Sequence, residues 1–305
     1  MMRRDRAYWQ RLTRLTVAAL VATLVIMLLI VPAALGVLGM WALTHPGCAS
    51  AGRTPADYGH AYEDVVVVSR EDGGQHRGFY VPSENGAHVI FPPAFNGGRD
   101  SRLHEADVLI RQGYGALMFE SRSCMGRVNT LGAREVEDVG GALDWLLARP
   151  GVDPARIGIH GFSSAGATAI MAAARFPALR AVVAEGGYHD LGRGTLGVGG
   201  SIVEAITRAA SRLTYRAATG VDIDSVSPVA VIDRIAPRPI LLIYGGREAA
   251  LGGGYAQLAA AGDNAALWEV PDAGHGNYLW IAPEAYAGRV TAFFDAAFFE
   301  AASIQ

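Results

Sequence analysis

The chain has 305 residues, 51% of them hydrophobic, with a net charge of −3 and an isoelectric point near 6.2. That length is enough for one full core plus an appendage. Its arginines form no basic stripe beyond the first residues, so nucleic acid is excluded as the expected partner.

Arg3, Arg4, Arg6, Arg11 and Arg14 open the chain, and from Thr16 to Leu43 no charged residue occurs. This run exceeds the roughly 20 residues a helix needs to cross a bilayer core, and the roughly 7–15 apolar residues usual in a signal peptide. It is apolar on every face, unlike a helix buried in a globular core. "HPGCAS" carries the Gly47-Cys48 of a lipoprotein cleavage box, but His45 and Pro46 stand where small or aliphatic residues belong. The expected organisation is a basic cytoplasmic tail over 1–15, a retained transmembrane helix over 16–43, a linker over 44–60 and a globular domain over 61–305. Five arginines lie before the run and none in the nine residues after it. The positive-inside rule then keeps the N-terminus in the cytoplasm and sends the domain across the cell membrane, anchored by one pass in its lipid. The two cysteines, Cys48 and Cys124, admit one disulfide in an oxidising compartment or two inert thiols, and both readings stand at this point.

After "HPGCASAGRTPADYG", a segment rich in Gly, Pro and Ala, "DVVVVS" and "QHRGFYV" flank the turn signal Asp72-Gly73-Gly74 and predict an antiparallel hairpin. Six short apolar runs follow, at 87–91, 114–119, 156–160, 180–185, 239–244 and 266–270. Helical patterns alternate with them near 101–112, 133–148, 164–175, 254–261 and 283–300. This alternation predicts an α/β fold: a mostly parallel central sheet with helices on both faces and the hairpin as an antiparallel edge. Residues 188–236 break the rhythm. They hold the Gly-rich "LGRGTLGVGG", a helical stretch near 201–217 and no convincing strand, which reads as a cap over the strand ends. Leu191, Leu196, Val198, Ile202, Val203 and Ile206 give that cap an apolar character suited to an entrance, or simply to packing.

"IGIHGFSSAGATAI" contains G-x-S-x-[GA], a pattern that chance often supplies in a chain rich in Gly and Ala. Its setting is more specific, because it joins an apolar strand directly to an Ala-rich helix, as a nucleophile elbow requires. With Ser163 at the apex, small Gly161 and Ala165 lie two residues to either side. With Ser164 there, bulky Phe162 would occupy the tightest position, so Ser163 is the better nucleophile. Ser164 then offers its backbone N–H as one oxyanion donor. The plainer reading is a Ser-Ser helix cap. A serine hydroxyl needs a base, and the base an orienting carboxylate. His275 in "PDAGHGNY" lies in a Gly-flanked loop after the last strand. His45, His60, His76, His88, His104, His160 and His189 lack that placement or precede the serine. Glu248 is the carboxylate in the loop after "PILLIY", with Asp190 in reserve; a solvated loop carboxylate is its plainer reading. A second oxyanion donor belongs in "PPAFNGG". Pro92 and Pro93 have no N–H, so Ala94 is the first residue able to donate, with Phe95 next.

On "RLHEADVLIRQGYGALMFESRSCMGR", "REVEDVGGALDWLLARPGVDPARIGIHGFSSAGATA", "PILLIYGGRE" and "PDAGHGNY", residues 60–300 resemble the α/β-hydrolase superfamily. The likeness is to serine hydrolases with a prolyl-oligopeptidase-like or Bem46-like core. The resemblance implies an α/β-hydrolase fold with a cap insertion at about 188–236. It implies a Ser163-Glu248-His275 triad with the Ser164 and Ala94 amides as oxyanion hole. Departures are Pro92-Pro93 for the usual His-Gly, "ESRSCMGR" for Asp-x-Arg-Gly-x-Gly-x-Ser, Ala165 for the last elbow glycine and Glu248 for Asp. The expected activity is hydrolysis of a small-molecule ester or other acyl substrate through an acyl-enzyme. A peptidase of the same fold and a catalytically silent anchored binding protein are the alternatives. No metal-ligand spacing and no dinucleotide fingerprint stands out, so no metal or other cofactor is expected.

Overall fold

In the computed structural model, residues 2–195 and 200–300 are described. Helix α1 (Met2–Val25) passes through a π turn (Ile26–Ile30) into α2 (Val31–Thr44). The π turn lies just ahead of Pro32, whose ring cannot sit against the carbonyl four residues back in a regular helix. Within this stretch Tyr8–Thr44, 37 residues, is long and apolar enough to cross a membrane.

Eight strands follow: β1 (Glu63–Val68), β2 (Gln75–Val81), β3 (His88–Phe91), β4 (Gly115–Phe119), β5 (Ile157–Phe162), β6 (Ala181–Glu185), β7 (Ile240–Gly245) and β8 (Ala265–Val270). They form one sheet in the order β1-β2-β4-β3-β5-β6-β7-β8. The expected hairpin is its antiparallel edge, β2 runs antiparallel to β4, and every remaining pair is parallel. Among the described residues, seven helices accompany the sheet: α3 (Leu103–Ile110), α4 (Glu135–Leu147), α5 (Ser164–Arg175), α6 (Ile202–Thr219), α7 (Leu251–Ala261), α8 (Tyr278–Ile281) and α9 (Pro283–Asp295).

The parallel strands are apolar runs because both of their faces are covered. Along β7, Ile240 and Leu242 pack with α4, α5 and α7, while Leu241 and Ile243 face the layer that holds α3 and α9. The same alternation puts Val182 and Val183 of β6 into opposite layers. All parallel strands therefore end at one edge, where the connecting loops gather.

Residues 188–236 contain no strand among the described residues; they hold a π turn (Leu191–Thr195), α6 and three short 3-10 turns. Leu196 and Val198 of the expected apolar set lie outside the described residues. Helix α6 packs along α2, and Ser211 Oγ donates to the Gly36 carbonyl at 3.2 Å. The segment after α2 is fastened to the sheet edge. Cys48 and Cys124 form a disulfide with Cα atoms 4.5 Å apart, and Ala49 bridges Gly97 as a one-residue parallel ladder.

Candidate active site

Strand β5 ends at Phe162 and α5 begins at Ser164, leaving Ser163 between them at φ 57°, ψ −124°. Such a backbone is strained for any L-residue and persists only when its surroundings hold it. Here the Ser163 amide donates to the Glu185 carbonyl at 2.7 Å, tying the turn to the end of β6. A Cβ at Gly161 would stand 2.1 Å from the Ala165 carbonyl oxygen, so only glycine fits there. One at Gly166 would meet the Glu185 carbonyl oxygen at 2.8 Å. Glycine is therefore demanded at 161 and 166. Ala165 buries its methyl in the protein interior.

The three candidate side chains meet. His275 Nε2 lies 3.0 Å from Ser163 Oγ, and His275 Nδ1 lies 2.6 Å from Glu248 Oε1. With Nδ1 donating to the carboxylate, Nε2 is left as the acceptor facing the serine hydroxyl. His275 is half exposed, whereas the Glu248 side chain is buried. Glu248 Oε2 accepts from the Tyr278 hydroxyl at 2.6 Å and the Gly245 amide at 3.0 Å. Burial works against the Glu248 charge, but the hydrogen bonds from His275, Tyr278 and Gly245 outweigh it and hold the carboxyl below the usual range. Asp190, the reserve carboxylate, is engaged elsewhere: it accepts from Ser227 Oγ at 2.9 Å and the Arg193 amide at 2.7 Å.

Ser164 is the first residue of α5, and neither its amide nor that of Ala94 donates to an acceptor among the described residues. The loop after β3 is held by Phe95, whose carbonyl accepts from Ser123 Oγ and Asn129 Nδ2, both at 2.7 Å. In "ESRSCMGR", Arg122 is buried. It donates to Asp138 at 2.7 and 2.6 Å, which fastens this loop to α4.

Several contributors escape a reading of motifs. Tyr278 lies three residues after His275 in "GHGNY", and its hydroxyl braces Glu248. Gly186, at φ +55°, leaves room for the relay: a Cβ there would stand 2.4 Å from the Tyr278 hydroxyl and 2.8 Å from Glu248 Oε1. The Phe162 ring lies 4.7 Å from that of His275, with the Arg102 guanidinium 5.0 Å from the Phe162 ring centre. Arg102 pairs in turn with buried Glu185 at 3.1 Å. Burial opposes the Glu185 charge, and His160, Arg102 and Tyr286 hold its carboxyl below the usual range. These contacts follow from chain crossings, which short spacings do not encode.

A cleft of about 350 Å³ opens over Ser163 and His275, walled by Leu43, Phe95, Leu131, Tyr188, Leu191 and His189. No aspartate or glutamate lines it among the described residues. Nor, among those residues, is any group of three or more His, Cys, Asp or Glu placed to hold a metal ion.

Comparison with known proteins gives the family and the fold. Residues 79–243, more than half of the chain, match the family described as X-Pro dipeptidyl-peptidase (S15 family). The thiohydrolase apmlB of Arthrinium phaeospermum is 35% identical over 129 residues, 40% of this chain and 42% of that protein. The thiohydrolase aneE of Aspergillus aculeatus is 32% identical over 119 residues, 37% of either protein. The chain thus aligns with only about two fifths of the length of these curated relatives. Among solved structures, the Pyrococcus furiosus esterase Pf2001 superposes with a TM-score of 0.64 at 22% identity, covering 83% of this chain and 99% of that one. At that identity the likeness is one of fold, and the fold is that of an α/β-hydrolase.

Proposed function

From a chain that belongs to the X-Pro dipeptidyl-peptidase (S15) family of hydrolases, we propose an esterase that works through an acyl-enzyme on Ser163. His275 Nε2 takes the hydroxyl proton as Ser163 Oγ attacks the carbonyl carbon. Glu248 holds the imidazole in the tautomer this requires and stabilises the imidazolium that forms. The Ser164 and Ala94 amides donate to the oxyanion. His275 then protonates the departing alcohol, and water, deprotonated by the same imidazole, releases the acid and frees Ser163. No metal or other cofactor takes part. The single observation that carries the proposal is the continuous relay from Ser163 through His275 to Glu248, set on a strained turn.

The relatives are named for a dipeptidyl-peptidase, an esterase and a thiohydrolase. An ester is the reading favoured here because, among the described residues, no carboxylate lines the cleft to grip the free amine of a dipeptide. We infer likewise that the long apolar helix is a cell-membrane anchor with the N-terminus in the cytoplasm and the cleft outside; the arginines ahead of it support that orientation. The test is turnover of one acyl group presented as a p-nitrophenyl ester, a thioester and an anilide, alongside an X-Pro anilide. The ester is expected to be cleaved at least about tenfold faster than either anilide. Preference for the X-Pro anilide would replace the esterase with a peptidase.

A further inference from the structure

The apolar run from Thr16 to Leu43 is longer than a bilayer needs. About 20 helical residues cross the hydrocarbon core, which brings a span begun at Thr16 to Leu35. The residues beyond it are those that the protein buries: Gly36, Met40 and Thr44, with Pro32 one turn earlier on the same face. What covers them is the cap helix. A Cβ at Gly36 would stand 2.4 Å from the Thr207 carbonyl oxygen, so the two backbones are in direct contact. The overshoot of the apolar run is therefore a protein interface, and it joins the anchor to the cap.

The two helices run in the same direction. At their C-terminal ends both reach the loop at 129–131: the Asn129 amide donates to the Thr44 carbonyl, and the Tyr215 hydroxyl donates to the Thr130 carbonyl. The N-terminal end of α6 consequently points back along the span, where it touches the π turn Ile26–Ile30. That turn lies well inside the uncharged run. Aromatic residues mark the same depths: Trp9 and Trp41 are both exposed, at 62% and 54%. They lie about 48 Å apart along a helix, near the 40–45 Å of a bilayer with its headgroups once a modest tilt is allowed. Trp41 marks the outer interface. Helix α6 starts on the membrane side of Trp41. Along its outward face it exposes Ile202 at 63% and Leu213 at 71%, with Ala209 between them.

Leu43 lies two residues beyond Trp41, and its side chain forms part of the cleft wall beside Ser163 and His275. The catalytic cleft is thus built partly from the membrane helix itself, at headgroup height.

We propose that the exposed stripe of α6 sits in the outer leaflet of the bilayer, and that the cleft takes a long-chain acyl ester from that leaflet. The lipid surface is the partner and a membrane-borne acyl amphiphile the substrate class. The chemistry is the hydrolysis described above: the ester C–O bond breaks, water supplies the new acid oxygen, and the alcohol leaves with a proton. This inference rests on the anchored esterase reading and adds where its substrate comes from.

The experiment uses full-length protein in phosphatidylcholine vesicles, with two substrates: p-nitrophenyl palmitate in the vesicles and p-nitrophenyl acetate in the water. Ile202→Asp/Leu213→Asp is expected to lower palmitate turnover about tenfold, because charge is expelled from lipid, while acetate turnover is unchanged. In parallel, NBD on Ile202→Cys is expected to emit as in an apolar medium and to be quenched by nitroxide-labelled lipid. Equal palmitate turnover by the variant and wild type would overturn the proposal, as would NBD emission typical of water. Wild-type turnover of acetate without palmitate would overturn it and leave the esterase standing. Turnover of neither ester would overturn the esterase reading, and this inference with it.

Discussion

Tyr278 shows how much of the site depends on a residue that touches no reacting atom. Its hydroxyl supplies one of the three hydrogen bonds that keep Glu248 ionised in a buried setting. Tyr278→Phe is expected to lower kcat about tenfold with little change in KM, since orientation rather than binding is lost. The same substitution has a pH signature. Because the folded pKa of Glu248 is depressed, its stabilising contribution is complete above the unfolded value of about 4.5 and is lost as pH falls through the folded value. Tyr278→Phe should therefore melt below wild type at pH 7, with the gap closing as the pH falls below 4.5. A gap that stays constant from pH 7 to pH 3 would show that Tyr278 acts by packing alone. At this scale Ser163, Glu248 and His275 are legible, because each sits at a strand end in a loop with a recognisable local setting. Tyr278, Gly186 and Phe162 are not: their importance lies in which distant chain they meet.

Among the elements, the eight strands are the most legible, since a strand covered on both faces must be a short apolar run between turn residues. Helix α6 is legible as a helical stretch near 201–217, and the structure starts it at a Ser201–Glu204 capping box. Its partner is not. Nothing in 201–219 says that its buried face meets residues 36–44, because a Gly-containing apolar helix reads as membrane-spanning throughout. Gly36→Leu tests that packing. The new side chain meets backbone that cannot yield, so α2 must separate from α6, at a cost of about 1–3 kcal/mol. The thermal midpoint should drop, and hydrogen exchange should rise in α6 more than in the sheet. An unchanged midpoint would mean that the two helices are not in register as described. For the same reason Gly39, with nothing near its absent side chain, should accept Leu without such loss.

Over the whole molecule, the long apolar helix and the sheet domain form one continuous structure. The segment 44–60 is held by the Cys48–Cys124 disulfide and by the Ala49–Gly97 bridge, close to the loop that carries Ala94 and Phe95. The disulfide closes a loop with a sequence separation of 76, and its loss through Cys48→Ser should cost roughly 2–4 kcal/mol. Maleimide should label the native protein only after reduction; labelling without reductant would contradict the bridge. Composition and alternation made the fold class legible at this scale. The Cys48–Cys124 bridge was one of the two readings the cysteines left open; the seating of Leu43 beside Ser163 was not legible, because it depends on distant segments meeting in space.

The central claim is that Ser163 is an activated nucleophile facing away from the cytoplasm. Its most direct test is fluorophosphonate labelling of intact cells that carry wild type, Ser163→Ala or Ser164→Ala. Labelling of wild type and Ser164→Ala is expected, and none of Ser163→Ala. Folded wild type that stays unlabelled after the membranes are opened would contradict it and leave an anchored binding domain on a hydrolase fold.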